Sequence, residues 1–130
     1  MMSNEPLSVH ASPPGLDPEA LARLTELDPT GENKLLERVL RAFQTSAARL
    51  MPQLEAAHLS GDAATIRLVA HTLKSSSASI GALALSQVCA QVEALIRSES
   101  TESIDPLLHR MRGALASALS AIQRLLDNPT

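Results

Sequence analysis

The chain has 130 residues, a formal net charge of −3, 45% hydrophobic and 19% charged residues, which suits one compact domain and leaves little room for a second. With one phenylalanine, Phe43, and no tryptophan or tyrosine, it lacks the basic face and stacking rings of a nucleic-acid binder, and the abundance of Ala and Leu favours helices over strands. Cys89 is the sole cysteine, which excludes an intramolecular disulfide or a cysteine-based zinc site within one chain and is compatible with a reducing compartment.

Residues 1–15 are rich in Ser and Pro without apolar periodicity, as in a disordered tail or a linker, and the domain is expected over residues 16–127. The opening residues lack the charged-then-apolar plan of a signal peptide, and no apolar run approaches the roughly 18–20 residues of a membrane span. A cytoplasmic protein without a membrane partner is the expectation. Asp17-Pro18-Glu19 sets a capping carboxylate before a proline at the first helical position, and Leu21, Leu24 and Leu27 supply a short apolar stripe that ends at Asp28-Pro29-Thr30-Gly31.

The second helix is long, because Leu36, Val39, Leu40, Phe43, Ala47, Leu50 and Leu54 recur at three- and four-residue steps. Pro52 would ordinarily stop it. The stripe keeps its register past Pro52, which lies nearly opposite the apolar face at about 100° per residue, so a kinked continuous helix to about His58 is predicted. After Ser60-Gly61-Asp62, a third helix carries Ile66, Ala70, Leu73, Ser77 and Ile80 and closes near Gly81. The fourth shows Leu85, Val88, Cys89, Val92, Leu95 and Ile96, and the fifth, starting near Asp105-Pro106, shows Leu108, Met111, Leu115, Leu119, Ile122 and Leu126. Four amphipathic helices joined by short polar turns make an all-α, antiparallel four-helix bundle, with the short additional N-terminal helix capping one end.

The third helix breaks its own amphipathic rule. Its core direction puts His71 roughly 140° away, facing solvent, at about 100° per residue. Ala64, Arg67, Leu68, Lys74, Ser75 and Ala78 share that side. Leu68 has no reason to be there for the core, and small and apolar groups around an exposed charged centre suit docking by another protein. A neutral imidazole with a free ring nitrogen is a nucleophile towards phosphorus. Phosphoryl transfer asks mainly for positioning and for cations beside the developing charge, which Lys74, one turn beyond His71, and Arg67, one turn before it, are placed to supply.

The run Ala70-His71-Thr72-Leu73-Lys74-Ser75-Ser76-Ser77-Ala78-Ser79-Ile80-Gly81-Ala82 resembles the signature of histidine-containing phosphotransfer (HPt) domains, A-H-x-L-K-G-S-S-x-x-L-G-A, and Leu85, Cys89, Glu93 and Arg97 are similar to the pattern that follows it in that family. The resemblance implies a phosphorelay intermediate. His71 would accept a phosphoryl group from a receiver-domain aspartate and pass it to another receiver, with Lys74 stabilising the phosphoryl charge. It implies response-regulator receiver domains as partners. The Ser/Pro-rich start suits either a free, monomeric domain or the end of a hybrid histidine kinase. No cofactor is implied, since magnesium would be held by the receiver. Ser75 departs from the usual glycine at a place where a side chain meets the incoming receiver. Glu93 stands where some members hold a Gln that steadies the histidine ring, and a carboxylate there would fix the ring's tautomer.

The chain shows no Gly-rich phosphate loop, and His71 lacks the acidic residue and downstream proline of dimerising kinase helices, so autonomous kinase activity is not expected. A bundle that binds a receiver or kinase without taking phosphate is the competing class. Glu55-Ala56-Ala57-His58 has the spacing of a di-iron site, but such a site needs two of these motifs and two further inward glutamates. His10 falls in the tail, while His58 and His109 lie near helix ends where a cation suits the local dipole. Cys89, beside Val88 and Val92, is read as core.

Overall fold

In the computed structural model, which describes residues 15–127, the periodic stripes become five helices: α1 (Pro18–Glu26), α2 (Leu35–Ser60), α3 (Ala63–Ser79), α4 (Leu83–Arg97) and α5 (Asp105–Asp127). There is no strand among the described residues. The expected tail, apart from Gly15, and with it His10, lies outside them.

Local chemistry sets the boundaries. The Asp17 carboxylate accepts from the Glu19 amide at 3.3 Å ahead of Pro18, capping α1. Asp28, expected only as a turn residue, also accepts from the Leu35 amide at 3.2 Å and so satisfies one of the open donors of α2 from outside that helix. Lys34 at that junction has a left-handed backbone and makes no side-chain cap. Asp62 caps α3, accepting from Thr65 N at 3.1 Å and from its hydroxyl at 2.6 Å. Helix α2 runs through Pro52 without interruption, as its unbroken apolar stripe predicts, and Pro52 itself is exposed.

Helices α2 to α5 form an antiparallel bundle, with α3 packed chiefly on α4 and α2, and α5 closing the ring against α4 and α2. The core draws Leu40, Phe43, Leu50 and Leu54 from α2, Ile66, Val69, Ala70 and Leu73 from α3, Leu85, Cys89 and Val92 from α4, and Leu108, Met111 and Ile122 from α5. Fully burying each large side chain is worth about 1.5–3 kcal/mol. Burial pushes the Cys89 thiol up to about 12, with the nearby Glu93 charge adding to it, so it behaves as a small apolar residue.

Helix α1 packs on α2 and seats its start against the α3–α4 turn, where Asp17 N donates to Gly81 O at 2.8 Å. Leu16, Ala20 and Leu21 are buried there, whereas Leu27, expected on the same stripe, is 74% exposed because α1 ends at Glu26 and the chain turns away. Helix α5 also departs from expectation. Its buried row is Leu108, Met111, Leu115, Ala118, Ile122 and Leu125, with Leu119 and Leu126 only partly buried. A step of three and a step of four from Leu115 are both helical, and the neighbouring helices select the side carrying the small Ala118.

Candidate functional site

Helix α3 turns one face to α4 and α2 and leaves the opposite strip open. Ala64, Arg67, Leu68, His71, Ser75 and Ala78 are exposed, Leu68 to 61%, and Lys74 is half-buried at the strip's edge. The hydroxyls of Thr72, Ser76, Ser77 and Ser79 bond back to carbonyls of the preceding turn, so this polar run stays helical without outside partners. Ser86, on α4, donates to Lys74 O at 3.0 Å and joins the two helices beside the strip.

Across the α3–α4 seam lies Glu93, on the apolar stripe of α4 and only 2% exposed. A buried carboxylate is costly unless several donors satisfy it, and three do. His71 Nδ1 is 2.8 Å from Oε2, Lys74 Nζ is 2.7 Å from Oε1, and Arg97 Nη2 is 3.1 Å from Oε2. The hydrogen bond from Lys74 holds the Glu93 carboxyl down at about 2, against the upward push of burial and with further help from His71. It is therefore ionised at neutral pH and offers only acceptors. The proton of a neutral His71 ring must then sit on Nδ1, leaving the Nε2 lone pair free. With the imidazole side chain 58% exposed and Nε2 bonded to no described residue, the ring is oriented at one nitrogen and available at the other.

Seven residues were singled out in the sequence, and the structure unites three of them, His71, Lys74 and Glu93, in one hydrogen-bonded group. Leu68, Ser75 and Ala78 line the exposed strip beside it. Arg67 is exposed and makes no hydrogen bond or ion pair with this group. Arg97, part of the family pattern but given no role in the sequence reading, belongs to it. The available signal was its position four residues after a carboxylate on an apolar face, which needs a partner. Ser86 went unread because its contact is to a backbone carbonyl on another helix.

The other motif with site-like spacing is differently engaged. Glu55 accepts from Arg112 Nε at 2.7 Å and from Nη2 at 3.0 Å. Arg112 Nη2 also lies 2.9 Å from His58 Nδ1, while His58 Nε2 faces Asp105 Oδ1 at 2.8 Å. Because arginine only donates, Nδ1 accepts and Nε2–H donates. Glu55 and His58 thus tie α2 to α5, and among the described residues no cluster of His, Cys, Asp and Glu is arranged to hold a metal. No described helix is long and apolar enough to cross a membrane.

The family model of the Hpt domain matches residues 38–125 of the chain. The structure is similar to the crystal structure of histidine-containing phosphotransfer protein B (HptB) from Pseudomonas aeruginosa PAO1, with a TM-score of 0.75 and 26% sequence identity, over 85% of this chain and 93% of that one. No curated protein matches the chain.

Proposed function

The chain belongs to the Hpt domain family, whose role is phosphotransfer within phosphorelays, and from that premise we propose that His71 is the residue that carries the phosphoryl group, taking it from the aspartyl phosphate of one receiver domain and giving it to another. The observation that supports this reading best is the division of labour on the His71 ring: Nδ1 is held by the ionised Glu93 at 2.8 Å, and Nε2 is free in a side chain open to solvent.

In the forward step the Nε2 lone pair forms the N–P bond as the P–O bond of the receiver's acyl phosphate breaks, and that bonding pair returns to the receiver's carboxylate. No proton has to leave Nε2, because the ring's proton is on Nδ1 and stays there, donated to the Glu93 carboxylate. The phosphorylated ring gains positive character at Nδ1–H, which the buried carboxylate opposite stabilises. Lys74, one turn away, meets the charge on the phosphoryl oxygens. The reverse sequence delivers the group to the second receiver. Leu68, Ser75 and Ala78 form the platform on which the receiver seats, and Arg67 at its edge meets acidic groups of the partner. The protein acts as a monomeric phosphocarrier without kinase activity of its own and needs no cofactor, the receiver holding any magnesium.

Incubation with a radiolabelled phospho-receiver tests the assignment. Label should pass to the wild-type chain and not to His71→Gln, and undiminished label on the variant would overturn it.

A further inference from the structure

The three donors on Glu93 are not equivalent. Oε2 holds both His71 and Arg97, whereas Oε1 holds Lys74 alone at 2.7 Å. Lys74 is also the cation nearest in sequence to His71 on α3, so the group assigned to the phosphoryl oxygens is already bound elsewhere. An ammonium that stays on Glu93 is only partly available to a phosphoryl group, and one that leaves removes a donor from a carboxylate that is 2% exposed. Leaving a buried carboxylate short of counter-charge is strongly unfavourable. A third group must therefore hold Glu93 while Lys74 moves.

Arg97 has the properties required. It lies on α4, four residues from Glu93, so its pairing does not depend on α3. Its guanidinium carries five donors in a fork that can span both carboxylate oxygens. Its side chain is 66% exposed, against 35% for Lys74, and so has room to slide from Oε2 towards Oε1. We propose that Arg97 is a positioning residue for phosphoryl transfer: by remaining on Glu93 it supplies the counter-charge that lets Lys74 move from the carboxylate to the phosphoryl group. The proposal rests on His71 being the phosphoryl acceptor. It also accounts for the use of a carboxylate at position 93, since a charged partner pulls harder on His71 Nδ1–H than an amide but then needs a permanent cation.

The experiment is a double-mutant cycle on the full chain, reading the rate of label transfer from a phospho-receiver, with folding checked by thermal melting. Arg97→Met should slow transfer about tenfold, the scale of one charge-assisted hydrogen bond, and Arg97→Lys should recover most of the rate. In the Glu93→Gln background the neutral amide needs no counter-charge, so adding Arg97→Met should leave the rate at that of Glu93→Gln alone. Equal slowing by Arg97→Met in both backgrounds would overturn the proposal, as a role in docking or folding gives that result, and so would an unslowed Arg97→Met single variant. His71→Gln run in parallel separates the two readings: label on that variant defeats the acceptor assignment, whereas an inert His71→Gln beside an unslowed Arg97→Met defeats only the role of Arg97.

Discussion

Glu93 is the residue through which the site's charge is organised. Hydrogen bonding from Lys74, and then from His71, sets its carboxyl at about 2, below the ordinary 4.5. A group whose folded value lies below its unfolded one contributes stability that is fully present above the unfolded value and is lost as pH falls towards the folded one. The melting temperature of the wild type should therefore fall more steeply between about pH 4.5 and pH 2 than that of Glu93→Gln, and parallel profiles would contradict the ion-paired arrangement. Leu68 makes the opposite case, an apolar side chain 61% exposed with no core to serve. If it docks a receiver, Leu68→Asp forfeits burial worth about 2 kcal/mol and weakens receiver binding by at least roughly tenfold. Its melting temperature should stay near that of the wild type. Titration of a receiver by calorimetry reads the first effect and a thermal melt the second.

At the scale of the elements, the α3–α4 turn does two jobs. It closes the helix that carries His71 and gives α1 its seat. Gly81 has a backbone φ of +79°, and an added Cβ would come within 2.7 Å of Asp17 N and 2.9 Å of Asp17 O, both backbone atoms that cannot step aside. Gly61, at the α2–α3 turn, has a similar φ of +72° but open space around it. Gly61→Ala should cost only the left-handed penalty of about 1–2 kcal/mol, whereas Gly81→Ala adds displacement of α1 and should cost at least roughly twice as much. Denaturant melts of the two variants compare them directly, and equal losses would mean that α1 is not seated on Gly81.

Over the whole molecule, α2 meets α5 less extensively than α3 meets α4, and the Glu55–Arg112–His58–Asp105 network lies at that weaker junction. Its members are partly solvated, the Arg112 side chain 31% and Glu55 49% exposed, so the screened ion pair stabilises the fold modestly. Arg112→Ala should cost about 1 kcal/mol in a urea melt without slowing label transfer to His71. A large loss of transfer would mean that the α2–α5 end of the bundle communicates with the His71 site.

The all-α class, the four long helices, the exposure of His71 and the place of Lys74 one turn beyond it were legible in the sequence, because each depends on the 3.6-residue repeat of a single helix, which a local pattern carries. The continuity of α2 through Pro52 was readable for the same reason. The row of α5 that enters the core was not, since Ala118 and Leu119 are both acceptable to the helix and only the neighbouring helices choose. The same limit applied at the site. The residues around position 93 mark an apolar stripe, yet whether its carboxylate is buried, which oxygen each cation takes and which nitrogen of His71 is left free depend on how α3 and α4 face each other. His71 as an exposed histidine is therefore a property of one helix, and its orientation by Glu93, Lys74 and Arg97 is a property of two.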